Sequence, residues 1–117
     1  YAAAIYPAWF ADPTLAAMLS PPVSRSVAGA AVSARLRRDG YDWRTTLSPL
    51  DIPALVIHGE ADLLPLSQAS DTVAALGPMA RLLPVAGAGH NPFWEQPSIV
   101  FPSIQECLHH GDRRTNR

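Results

Sequence analysis

Ile52-Pro-Ala-Leu-Val-Ile-His-Gly-Glu-Ala-Asp-Leu-Leu-Pro65 and Val85-Ala-Gly-Ala-Gly-His-Asn-Pro-Phe-Trp-Glu-Gln-Pro97 are the stretches whose reading decides the fold. In the first, Ala54 to Gly59 is a short apolar run between a proline and a glycine. It lacks the in-and-out alternation of a strand wet on one face, so it predicts a strand buried on both faces. The second stretch grows out of Ala80-Arg-Leu-Leu-Pro-Val-Ala86, a second strand. Pro84 places that strand at an edge or a bulge, because proline brings no N–H to a ladder. Between the two, Ser67 is suited to cap a helix running through Leu76, and Gly77-Pro78 stops it. Strand, helix and strand within about 30 residues make a βαβ unit with parallel strands. The expected fold class is α/β.

In open parallel sheets the reacting groups collect beyond the carboxyl ends of the strands, where the loops face one crevice. Asp62 follows the first strand in Gly59-Glu-Ala-Asp62, and His90 follows the second in Gly87-Ala-Gly-His90. Both loops leave the sheet at the same end, so the two side chains can meet. A carboxylate there holds an imidazole in one tautomer and stabilises the imidazolium formed during general-base work. The small residues before His90 allow a tight turn. Singly, Asp62 reads as a capping or turn carboxylate and His90 as a loop histidine; together, at two neighbouring strand ends, they read as acid and base.

The rest of the chain falls into three parts. Residues 1–48 carry Trp9, Phe10, Leu15, Met18, Leu19 and the run Val27 to Leu36 at helical spacings, broken by Pro13 and by Pro21-Pro22. Short helices joined at angles are expected, the best of them stopped by Gly40. Residues 49–110 hold the strands, the crossover helix and a last helix in which Ile99, Val100, Ile104, Cys107 and Leu108 share a face. Pro102 must kink that helix or mark its start. The tail, 111–117, is expected to fray, and His109 and His110 read as tail residues.

At 117 residues and 48% hydrophobic content, the chain suits one small globular domain. Nine basic and ten acidic residues leave a formal charge of −1 and no basic stripe, which argues against nucleic acid as a partner. The apolar N-terminus is interrupted by Asp12 and Pro13 before it could span a bilayer, so no membrane association is expected. The single Cys107 excludes an internal disulfide, making the cytoplasm the default compartment. With no group nearby in sequence to activate it, Cys107 reads as inert. Opening on Tyr1-Ala-Ala-Ala without a methionine, the chain is expected to be part of a longer protein.

In order and spacing, the two stretches quoted first resemble the late-strand signature of the α/β-hydrolase superfamily, where nucleophile, acid and histidine follow one another along the chain. The resemblance is good from about residue 41 to 108. It implies the C-terminal portion of an α/β-hydrolase fold, with late parallel strands, a crossover helix and, in residues 1–48, the remnant of a helical cap. It also implies Asp62 and His90 as the last two members of a catalytic triad. Within the superfamily, Tyr6-Pro-Ala-Trp-Phe-Ala-Asp-Pro13 and Tyr41-Asp-Trp-Arg-Thr-Thr-Leu-Ser-Pro-Leu50 are similar to the proline iminopeptidase branch, whose cap returns to the sheet through such a segment. Two departures stand out. No Gly-x-Ser-x-Gly elbow occurs, so the nucleophile and its oxyanion hole are missing. That branch also binds the substrate's amino group with acidic cap residues, whereas the acidic residues ahead of the return segment here are Asp12 and Asp39.

The function implied is hydrolysis of a small ester, amide or N-terminal peptide substrate, by a serine (or an aspartate) in the missing N-terminal half. Alone, this chain is expected to be inactive and either to need that half or to self-associate. No cofactor is implied. The rivals are another branch of the superfamily (epoxide hydrolase, dehalogenase or carbon–carbon bond hydrolase) and a non-catalytic truncated module. Trp9, Phe93 and Trp94 are candidates for a substrate wall, with packing as the plain alternative. Trp9, Phe10, Met18 and Leu19 form a stripe that reads first as core and second as pocket lining. His58 fits a hydrogen-bonded role at a strand end, and Glu60 a solvated turn. Glu95 suits the N-terminus of the last helix, where a carboxylate meets free N–H groups. A metal site at His58, Asp62 and His90 lacks the dense local spacing of a helical His pair.

Overall fold

The structure is a computed structural model that describes residues 5–19, 26–42 and 49–115. In chain order its elements are a turn of 3-10 helix (Tyr6–Trp9), α1 (Pro13–Met18), α2 (Val27–Asp39), β1 (Ala54–Gly59), α3 (Leu66–Leu76), β2 (Ala80–Val85), α4 (Pro92–Glu95) and α5 (Pro97–Thr115).

Val56 and Ile57 are β-branched, and their run is bounded by Pro53 and Gly59, which is why the chain is extended in β1. It pairs in parallel with β2, from Ala54 opposite Ala80 to Gly59 opposite Val85. The Ala54 N–H donates to the Met79 carbonyl at 3.1 Å and the Glu60 N–H to that of Val85 at 3.0 Å. Odd-numbered residues of β2 therefore turn their polar backbone toward β1. Pro84 lies on the other parity and points its missing N–H away from the partner strand, so an edge accommodates it without a bulge.

The crossover helix starts two residues earlier than expected. Pro65 occupies the N-cap with no side-chain bond, α3 begins at Leu66, and Ser67 sits inside the first turn. Proline's fixed φ of −67° sets the entry instead of a hydroxyl cap, and Gln68 N–H closes the turn onto the Pro65 carbonyl at 3.0 Å. The helix stops as expected at Gly77, whose φ of +94° is costly for any other residue.

The core is where α5 meets the sheet: Val85, Ala88 and Val100 are buried, packed with half-buried Ile57, Leu83 and Ile104. Val100 and Ile104, one helical turn apart, set the inner line of α5, and Cys107 continues it half-buried. Ile99 and Leu108, expected on the same face, fall to either side of that line and are exposed. The helix begins at Pro97, passes through Pro102, and continues through the segment expected to fray as far as Thr115. β1 is half-buried from Ala54 to His58 rather than enclosed on both faces, because the described residues supply one neighbouring strand.

The described part of the N-terminal region is helical. Pro13 opens α1 rather than breaking it, with Asp12 as the cap: its Oδ1 accepts the Thr14 N–H at 2.8 Å and the Thr14 hydroxyl at 2.7 Å. Ser26 caps α2, and Gly40, at φ +68°, ends it. No α2 residue is buried, and at the loop after β2 the Trp9 carbonyl accepts the His90 N–H. Most of the Tyr41–Leu50 segment, residues 43–48, lies outside the described residues. Among the described residues no helix is long and apolar enough to cross a membrane. Parallel strands joined by a crossover helix, with a second helix on the sheet, make an α/β architecture compatible with a partial α/β-hydrolase fold.

Candidate active site

β1 and β2 end side by side, so the loops carrying Asp62 and His90 leave the sheet together. Two backbone bonds tie them, Glu60 N–H to the Val85 carbonyl (3.0 Å) and Ala61 N–H to that of Ala88 (2.9 Å), while Asp62 N–H closes the first loop onto the Gly59 carbonyl (3.2 Å). Gly59 makes the approach possible. A Cβ there would overlap the carbonyl oxygens of Ala88 and Gly89 and lie 2.7 Å from the Ala88 carbonyl carbon. The second loop turns at Gly87, with φ +68°.

Within this frame Oδ2 of Asp62 lies 2.8 Å from Nδ1 of His90. The Asp62 side chain is 4% exposed and that of His90 42%, so the carboxylate is enclosed while the ring meets the outside. Asp62 Oδ1 accepts the Leu64 N–H at 3.0 Å. Burial pushes the Asp62 carboxyl up, but the Leu64 N–H, the His90 ring and nearby His58 outweigh it and hold the group below the usual carboxylate range. An ionised carboxylate has no proton to give, so Nδ1 must donate and Nε2 carries the lone pair. That is the tautomer a general base needs.

His58 takes the structural role expected of it: its Nε2–H donates to the Leu64 carbonyl at 3.0 Å. Leu64 is thus pinned through its N–H by Asp62 and through its carbonyl by His58. Glu60 is exposed in the turn. Among the described residues no group of three His, Cys, Asp or Glu side chains is gathered to hold a metal.

Beside His90 opens a cavity of about 520 Å³, lined by Tyr6, Trp9, Phe10 and Leu19 from the N-terminal segment and by His90, Asn91 and Trp94. Trp9 and His90 meet edge to face, ring centroids 4.2 Å apart. Trp9 therefore touches the histidine and Trp94 shares its cavity, whereas Phe93, named with them from the sequence, is not among the residues that line it. Phe93 lies exposed, its ring centroid 6.0 Å from that of Trp94. Met18 is likewise exposed, while Phe10 is buried.

Glu95 serves neither the last helix nor solvent. Its Oε2 accepts the Gly89 N–H at 2.6 Å, and its Oε1 accepts those of Ala11 at 2.6 Å and Asp12 at 3.4 Å. Free N–H groups do attract it, but they belong to other loops. The proline-opened turn Pro92-Phe-Trp-Glu95 brings the Glu95 carboxylate to the Gly89 N–H six residues earlier in the sequence. The partners in residues 11–12 are remote in sequence and could not be read from it.

No protein-family model matches the chain, and no solved structure matches it. Over 67 residues, 57% of its length, it is 38% identical to a pimeloyl-[acyl-carrier protein] methyl ester esterase of Xanthomonas axonopodis pv. citri, of which the match covers 26%. A protein of the same name from Xanthomonas oryzae pv. oryzae is 36% identical over the same length, with the same coverage. The matched part of this chain spans about a quarter of the length of these curated relatives.

Proposed function

We propose that this chain supplies the histidine base and its carboxylate partner to a serine-type hydrolase of small, neutral esters, the nucleophile being carried by a part of the protein outside these residues. The observation that carries the reading is the 2.8 Å pair of His90 Nδ1 with an enclosed, acceptor-only Asp62, at the ends of adjacent parallel strands and open to a cavity. His90 takes the nucleophile's proton at Nε2 as the tetrahedral intermediate forms and returns it to the leaving group. Asp62 holds the ring and stabilises the imidazolium between the two steps. The absence of a Gly-x-Ser-x-Gly elbow and the quarter-length match to esterases support placing the nucleophile and oxyanion donors elsewhere in the protein. By itself this chain turns nothing over, and it depends on that remaining part, or on self-association, to cover its exposed apolar side chains, among them Leu63, Phe101 and Trp94.

Esters are favoured over N-terminal peptides, the substrates of the proline iminopeptidase branch. The cavity lining named above carries aromatic and aliphatic side chains with His90 and Asn91, and no carboxylate to receive a substrate ammonium. The test compares hydrolysis of an activated aryl ester and of a prolyl amide by the full-length protein and its His90→Ala variant. The expected result is ester turnover that falls by several orders of magnitude in the variant, roughly as in other triads. Turnover unchanged by His90→Ala, or a preference for the prolyl amide, would contradict it.

A further inference from the structure

A second joint lies next to the acid–base pair, where the N-terminal segment crosses the histidine loop. His90 N–H donates to the Trp9 carbonyl at 2.7 Å. The two segments are in close contact: a Cβ on Gly89 would lie 2.5 Å from the Trp9 carbonyl oxygen and 2.9 Å from the Ala11 nitrogen. Three further N–H groups at this crossing, of Gly89, Ala11 and Asp12, converge on the two oxygens of Glu95. A carboxylate suits this place because both its oxygens accept and neither donates. Glutamine has one acceptor oxygen, so it satisfies one side of the crossing and turns an NH2 against an N–H on the other.

We propose that Glu95 is a positioning residue that couples the cavity wall to the base: through Gly89 it fixes the backbone entering His90, and through Ala11 and Asp12 it holds Trp9 against the imidazole. The inference rests on the reading of His90 as the base of a hydrolase. It goes further in making substrate binding and proton transfer depend on one carboxylate that touches neither substrate nor ring. Losing Glu95 leaves the His90–Trp9 backbone bond to hold residues 9–12 to the loop without the Ala11, Asp12 and Gly89 anchors, so the Trp9 and Phe10 side of the cavity and the His90 ring loosen together.

The test uses Glu95→Gln and Glu95→Asp in the full-length protein, the second keeping the charge but shortening the reach. kcat and KM for an aryl ester are measured separately, and the nuclear Overhauser contact between the Trp9 indole and His90 imidazole protons is recorded. In Glu95→Gln, kcat/KM is expected to fall about tenfold to a hundredfold, the scale of a small misplacement of reacting groups. KM should rise and kcat fall together, and the Trp9–His90 contact should weaken while the circular dichroism stays native. Glu95→Asp is expected to show the same coupled loss, and decides the matter if the glutamine variant does not fold. The assignment is overturned if the variants keep the contact and both constants, if they lose amplitude at an unchanged KM, or if neither folds, since Glu95 would then be a stability element. His90→Ala separates the two ideas. If it leaves turnover intact, the hydrolase reading fails, while the Trp9–His90 contact in the Glu95 variants still decides whether this carboxylate holds the crossing.

Discussion

Replacing Asp62 by asparagine keeps the shape of the side chain and changes one thing, the hydrogen-bond roles of its two ends. The Leu64 N–H, 3.0 Å from Oδ1, decides which end of the new amide is oxygen, because it needs an acceptor. The NH2 then takes the place of Oδ2, 2.8 Å from His90 Nδ1, where it can only donate. Nδ1 must accept, the ring proton moves to Nε2, and the lone pair that would take the nucleophile's proton is gone. The geometry survives while the tautomer is wrong, a situation that costs about 10⁴-fold in kcat in a serine protease triad, or about 5 kcal/mol of barrier. The cavity side chains are untouched, so KM should change little. The assay is steady-state hydrolysis of an activated aryl ester by full-length Asp62→Asn, with circular dichroism to show that the fold is kept. A folded variant within tenfold of the wild-type kcat would refute the reasoning, since the tautomer would not matter to the rate-limiting step.

Gly59→Ala should destabilise the full-length protein by about 3 kcal/mol, the upper part of the range for overpacking, because the new Cβ meets the backbone of Ala88 and Gly89 instead of a side chain that can swing away. Urea denaturation checks it, and a change within about 0.5 kcal/mol would show that the two loops are not in close contact. For pH, Asp62 is held below its ordinary range in the folded state, so its stabilising contribution is present above the unfolded value of about 3.9 and is lost as pH falls through the folded value. Thermal melts from pH 7 down to pH 2 should therefore show an acid-limb loss below about pH 4 that is smaller in Asp62→Asn. Identical acid limbs in the two proteins would mean that Asp62 is not stabilised as an anion.

The βαβ unit was legible in the sequence because its signals are local: an apolar run between Pro53 and Gly59, a stop at Gly77, and a proline that fits an edge or a bulge. The meeting of Asp62 and His90 followed from topology alone, since parallel neighbours deliver their loops to one end. What escaped depended on contacts between distant segments. α3 starts at Leu66 because Pro65 already supplies the entry geometry, which a search for side-chain caps overlooks. The buried line of α5 is set by where the sheet touches it, and Ile99 and Leu108 were apolar without being opposite anything. Glu95 was recognised as an anion seeking N–H groups, yet its partners in residues 11–12 are brought to it only by the crossing of the chain. Of Trp9, Phe93 and Trp94, all candidates for the wall from the sequence, Trp9 and Trp94 line the cavity and Phe93, the neighbour of Trp94 in sequence, is not in its lining.

Labelling of the full-length protein with a fluorophosphonate, followed by mass spectrometry of the modified peptide, tests most directly whether His90 and Asp62 serve a serine nucleophile outside this chain. A fluorophosphonate reacts with a serine only when a neighbouring base activates it. The expected result is a single modified serine outside residues 1–117, with labelling abolished by His90→Ala and strongly slowed by Asp62→Asn. No labelling, labelling of a serine within residues 1–117, or labelling indifferent to His90 would contradict the proposed arrangement.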